Sequence, residues 1–116
     1  MNDSFNYVPN TQDAQDGRTI YFDIDNVLSP IPKYVDMLKE FKRMGYRIGI
    51  IATSSSEEAK QQWLQKNDIS PYVDSFQFIP QDVSKYEIAE DKTGVLVSDD
   101  DKVLNTWFSD RIKIIK

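Results

Sequence analysis

From Thr19 onward the chain alternates between two kinds of hydrophobic pattern. Residues 19–24, 46–52, 76–79, 94–98 and 112–115 are short runs, apolar at almost every position, and each predicts a strand buried on both faces. Between them the apolar residues recur at helical spacing. Tyr34, Met37, Leu38 and Phe41 follow Pro30 and Pro32 and stop at Gly45, which predicts the first helix. Ser55-x-x-Glu58 is a capping box for a second helix, expected to bury Ala59 and Trp63 and to run to about residue 67. Ser84-x-x-Glu87 repeats that signature for a brief third helix, and Val103, Leu104, Trp107 and Phe108 mark a fourth. Trp63, Trp107 and Phe108 read as core residues.

Strands that alternate with helices, and are apolar throughout, predict a doubly wound α/β fold. The expectation is a three-layer sandwich around a five-stranded parallel sheet, in one domain spanning residues 18–116, with no cap domain. Residues 1–17 are rich in Asn, Asp, Gln and Ser without a sustained period, and predict a flexible N-terminal tail. Phe5, Tyr7 and Val8 are the residues that would pin any part of it. The run at 112–115 is a candidate exposed edge where another chain would pair.

Composition narrows the chemistry. The 116 residues contain no Cys and no His, which removes disulfides, thiolate and imidazole metal sites, and Ser-His-Asp catalysis. A net charge of −5 argues against strong nucleic-acid binding or an anionic membrane surface. No apolar run is long enough to span a membrane and no signal-peptide pattern opens the chain, so the expected location is cytoplasmic. What remains for chemistry is carboxylates, hydroxyls, Lys and Arg, and a hard metal ion.

In doubly wound sheets ligands bind beyond the carboxyl ends of the strands. The first strand ends in Asp23 and Asp25, the second in Thr53 and Ser54, and the fourth in Ser98-Asp99-Asp100-Asp101, with Lys85 at the start of the helix before it. Oxygen-only ligands suit Mg²⁺. A hydroxyl and a Lys beside it make a cradle for a phosphoryl group, with one Asp as nucleophile and a second as acid and base. Taken singly, Asp25-Asn26 reads equally as a turn, Asp99 to Asp101 as a solvated helix start, Ser55 as a cap and Lys85 as a surface lysine. Their joint placement and order favour a site.

That ordered set resembles the haloacid dehalogenase superfamily of phosphatases. The residues that carry the resemblance are Tyr-Phe-Asp-Ile-Asp-Asn-Val-Leu at 21–28, Ile-Gly-Ile-Ile-Ala-Thr at 48–53, Lys85, and Val-Leu-Val-Ser-Asp-Asp at 95–100. Val27-Leu28 and the segment around 53–64 look most like the 5′(3′)-deoxyribonucleotidase branch. The resemblance implies a Mg²⁺-dependent phosphatase that hydrolyses phosphate monoesters through an aspartyl phosphate. Asp23 would be nucleophile and metal ligand, and Asp25 acid, base and metal ligand. Thr53 and Ser54 would bind the phosphoryl oxygens, Lys85 would neutralise the nucleophile and the phosphoryl group, and Asp99 and Asp100 would complete the metal shell. Lys92 is the rival for the lysine role. Asn26 replaces the family's usual Gly, a turn position that Asn tolerates.

Only residues 28–32 separate the first strand from its helix, so the family's cap is missing. An uncapped site suits a phosphorylated substrate of nucleotide size or larger, or a site covered by an oligomer or a protein partner. Two other readings compete. A receiver domain would carry its phosphorylated Asp on the third strand, which does not match this order. A catalytically weak binding or regulatory module acting through a protein partner would keep the fold and lose turnover.

Overall fold

The structure, a computed structural model, describes residues 7–24, 28, 32–53, 57–79 and 83–114. Its elements follow in the order α1 (Thr11–Gln15), β1 (Thr19–Phe22), α2 (Pro32–Met44), β2 (Arg47–Thr53), α3 (Glu57–Lys66), a 3₁₀ turn (Ser70–Tyr72), β3 (Ser75–Ile79), α4 (Lys85–Ile88), β4 (Val95–Ser98), α5 (Asp101–Asn105) and β5 (Arg111–Lys113). The five strands form one parallel sheet in the order β3-β2-β1-β4-β5. The chain winds outward from β1 to β3, then returns across β1 to wind the other way. The reversal lies between β1 and β4, the switch point at which such sheets hold ligands.

The central strands β1 and β4 are buried throughout and almost wholly apolar because helices cover both faces. On one face Ile20, Phe22, Ile48, Ile50, Val95 and Val97 pack under Leu38 and Phe41 of α2 and Leu64 of α3. On the other, Tyr21, Ile51 and Leu96 pack under Leu104, Trp107 and Ala89. Tyr21 fits there only because its neighbours lack side chains. A Cβ on Gly49 or Gly94 would stand 2.6 or 2.5 Å from the Tyr21 ring, inside van der Waals contact. The α2 helix stops at Gly45, whose φ of +116° lets the Tyr46 N–H reach the Phe41 carbonyl at 3.1 Å.

Several expectations are corrected by packing. Residues 7–17 are not a free tail. Asn10 caps α1 through Oδ1, which accepts the Asp13 N–H at 2.8 Å, and Ala14 is buried. The Tyr7 N–H donates to the Arg111 carbonyl at 3.0 Å, and its hydroxyl lies 2.6 Å from both Asp13 Oδ2 and the Tyr46 hydroxyl. The Asn10-x-x-Asp13 spacing is the signal that would have found this helix. In α3 the buried residue is Leu64, while Ala59 faces solvent and Trp63 is half-buried. Ser84 precedes α4 but makes no side-chain capping bond. The fifth helix ends at Asn105, and Phe108, expected in the core, is 75% exposed. Ser55, of the other expected capping box, lies outside the described residues. Among those residues no helix is long and apolar enough to cross a membrane.

Candidate functional site

Strand β1 ends at Phe22, so Asp23 is the first residue beyond it, at the switch point. Its Oδ1 accepts the N–H of Ile24 at 2.8 Å, which fixes the carboxylate plane. Its Oδ2 accepts from Lys85 Nζ at 2.5 Å. The two residues are 62 positions apart in the chain. Lys85 is only 6% exposed, whereas the Asp23 side chain keeps 20% exposure. The ammonium is therefore enclosed, and the carboxylate has one side toward solvent. Burying an ion pair is seldom a gain in stability over apolar packing, because desolvation consumes the attraction. The pair stands at the end of the sheet where doubly wound folds hold ligands.

The neighbouring strand brings its acids to the same end. Phe22 stands beside Val97 in the parallel register, so Ser98 and Asp99 leave β4 alongside Asp23. Asp99 is half-buried. Asp100 and Asp101 also make contacts that hold α5 and β5. Asp100 caps α5, its Oδ1 accepting the Lys102 N–H at 2.9 Å, and its own N–H donates to Ser98 Oγ at 3.2 Å. Asp101 pairs with Lys113 at 2.7 Å. Thr53 closes β2, next to β1 in the sheet, at the same end; its side chain, like Asp25 and Ser54 as a whole, lies outside the described residues.

The structure thus brings together Asp23 and Lys85 directly, and places Thr53, Asp99 and Asp100 at the same end of the sheet. Lys92, the rival lysine, points elsewhere: its Nζ donates to the carbonyls of Tyr86 and Glu87. Carboxylate oxygens from two adjacent strand ends are the donor type a hard divalent cation takes. No cluster of three acids forms among the described residues, and Asp25, the third acid of the expected set, is not one of them. On donor chemistry Asp23 and Asp99 are residues of the type that would hold a Mg²⁺ ion.

A polar cleft of about 460 Å³ at the opposite, N-terminal end of the sheet is lined by Asp13, Asp16, Arg18, Asp91 and Thr93. Its one cation among the described residues is already paired. Arg18 binds Asp13 at 2.8 Å, Asp110 at 2.7 Å and the Thr93 carbonyl at 2.5 Å. Burial works against the charge of Arg18, but these two carboxylates outweigh it and hold its pKa above the ordinary value.

No protein-family model matches the chain, and no curated protein sequence matches it. Among solved structures it is similar to an uncharacterized protein from Corynebacterium glutamicum ATCC 13032 Kitasato, with a TM-score of 0.65 and 16% identity over 86% of each chain. That likeness shows the fold. The chain has an α/β architecture with a five-stranded parallel sheet between two helical layers.

Proposed function

We propose that the protein is a Mg²⁺-dependent phosphoric monoester hydrolase acting through an aspartyl phosphate on Asp23. The observation that carries this reading is the enclosed Lys85 ammonium 2.5 Å from the accessible carboxylate of Asp23 at the switch point. Chemistry at phosphorus requires an oxygen nucleophile that can approach an anion. An adjacent fixed cation lowers the repulsion between carboxylate and phosphate, and stabilises charge on the transferring oxygens.

In this reading the Asp23 carboxylate attacks phosphorus as the bond to the leaving oxygen breaks, and Asp25 supplies the proton to that oxygen. The product is an acyl phosphate on Asp23. Water then attacks its phosphorus, Asp25 takes the water proton, and inorganic phosphate departs with the carboxylate restored. Lys85 holds the nucleophile in place through its bond to Oδ2. Thr53 and Ser54 bind the phosphoryl oxygens. Mg²⁺, held by Asp23 and Asp99, would supply charge neutralisation of the phosphoryl group. Asp100 would act from its capping position at α5 by orienting that shell.

The test is phosphate release from p-nitrophenyl phosphate and from a panel of nucleotides, sugar phosphates and phosphorylated oligonucleotides, in Mg²⁺ and in EDTA. Turnover that needs the metal and falls to background in Asp23→Asn supports the reading. Absence of turnover on every substrate by a folded, Mg²⁺-loaded protein overturns it, and leaves the binding or regulatory module with a protein partner.

A further inference from the structure

Helix α4, which carries Lys85, is four residues long. That is far below the roughly 12–15 residues at which a helix sustains itself in water, and Ser84 gives it no side-chain cap. Its position must come from outside the helix. Two side chains bind the carbonyls of its last residues, the groups that lack an internal partner at any helix C-terminus.

The first is Gln77, the middle residue of β3, whose Nε2 donates to the Ile88 carbonyl at 2.8 Å. Gln77 stands opposite Ile51 in the sheet, on the face that buries Tyr21 and Leu96. Its Oε1 is buried without a partner among the described residues, which costs stability. An apolar residue would avoid that cost, so the bond to α4 is what a glutamine gains there. The second is Lys92. Its Nζ donates to the Tyr86 carbonyl and, at 2.8 Å, to the Glu87 carbonyl, and it lies 5.0 Å from the centre of the Tyr86 ring. Tyr86 answers with its hydroxyl, which donates to the Lys92 carbonyl at 3.0 Å. The Tyr86 ring also meets Trp107 and Phe108 in near-perpendicular contacts. The segment 85–88 is therefore clasped from β3 and from the loop before β4, and its one enclosed cation is aimed at Asp23.

We propose that Gln77 and Lys92 are positioning residues for Lys85: by holding the backbone of α4 they keep its ammonium on the Asp23 carboxylate. Neither touches the phosphoryl group. The inference rests on the phosphatase reading for its effect on rate, but the geometry it asserts is measurable without turnover.

The experiment joins a rate to a signal from Lys85 itself, in the full chain. An enclosed, ion-paired ammonium exchanges slowly enough to give a ¹H–¹⁵N lysine side-chain resonance, assigned by its change in Asp23→Asn. In Lys92→Met and in Gln77→Met, at a temperature where both variants are folded, this resonance is expected to shift or broaden. With p-nitrophenyl phosphate kcat is expected to fall about tenfold, since misplacement of a catalytic group by about 1 Å costs up to about a hundredfold. Lys92→Arg, which keeps a cation at the same carbonyls, restores both, and Lys66→Met on the exposed end of α3 changes neither. Either readout staying at the wild-type value in both folded variants overturns the inference. If the wild-type protein releases no phosphate from any substrate, the phosphatase reading is what fails, and the ammonium resonance alone decides the positioning.

Discussion

The two faces of the sheet are secured by different means. Under α2 and α3, helices of 13 and 10 residues, the larger cluster buries seventeen residues among those described. Under α4 and α5, of four and five residues, the smaller cluster buries six. The smaller layer compensates with side-chain hydrogen bonds to backbone. Trp107 Nε1 donates to the Gly94 carbonyl at 3.0 Å, the Tyr21 hydroxyl accepts the Asp91 N–H at 2.8 Å, and Arg111 Nη1 donates to the Leu104 carbonyl at 3.0 Å. Gln77 and Lys92 belong to the same set. Apolar burial is non-directional and tolerates small shifts, whereas a hydrogen bond specifies distance and angle. The thinner face is the one that delivers Lys85 to the site, so the positioning of that cation rests on directional contacts rather than on bulk.

The largest expected effect tests the thick face. Leu38 is fully buried against the sheet, and Leu38→Ala should cost about 2–5 kcal/mol by chemical denaturation, the range for a buried leucine leaving a cavity. In the fraction that stays folded, the Lys85 ammonium resonance should not move. Trp107→Phe tests the thin face with a smaller loss. It leaves the Gly94 carbonyl buried without its donor, which should cost about 1–3 kcal/mol. Here the Lys85 signal should shift, because Trp107 buttresses Tyr86 on α4. If Leu38→Ala moves that signal and Trp107→Phe does not, the contrast between the faces is wrong.

The smallest effect compares one carboxylate clamp on each side. Burial pushes the Asp74 carboxyl up, but the Lys42 ammonium and the Ile48 N–H outweigh it and hold it below the usual carboxylate range. Burial likewise raises Asp91, and the Thr93 hydroxyl with the Thr19 and Thr93 N–H groups outweigh it. A lowered folded-state pKa contributes stability that is complete above the unfolded value, about 3.9, and is lost as pH falls through the folded value. Denaturation midpoints should therefore stay level as pH drops from 7 to about 5 and decline below about 4. Asp74→Asn and Asp91→Asn should each flatten part of that decline, and an unchanged acid limb in both variants would show that neither clamp contributes.

Much of the architecture was legible because strands of a covered parallel sheet are mostly apolar, and five such short runs stand out between helical repeats. The errors share a cause as well. Phe108 and Ala59 have core-type side chains, and only packing decides which residue of a helical stretch faces the sheet. Residues 7–17 look polar because their fixing contacts are hydrogen bonds, through Asn10, Tyr7 and Asp13, rather than buried area. The place of Asp23 and Asp99 just beyond β1 and β4 was legible from the apolar runs before them. Asp100 illustrates the limit, since a cap and a metal-shell residue look alike in sequence until its bond to the Lys102 N–H is seen.

The sequence alone determined which residues end the strands at the ligand-binding side, because local pattern sets where a strand stops, and it excluded imidazole and thiol chemistry by lacking both side chains. Only the tertiary structure showed which of the two lysines pairs with Asp23. Lys85 and Lys92 lie seven positions apart in one segment, and either is long enough to reach a carboxylate. The clasp on α4 turns Lys85 inward onto Asp23 and sets Lys92 on the helix carbonyls. That arrangement depends on partners just beyond β1 and in β3, distant in the chain, and the direction of a side chain toward a distant partner is a property of the packed molecule.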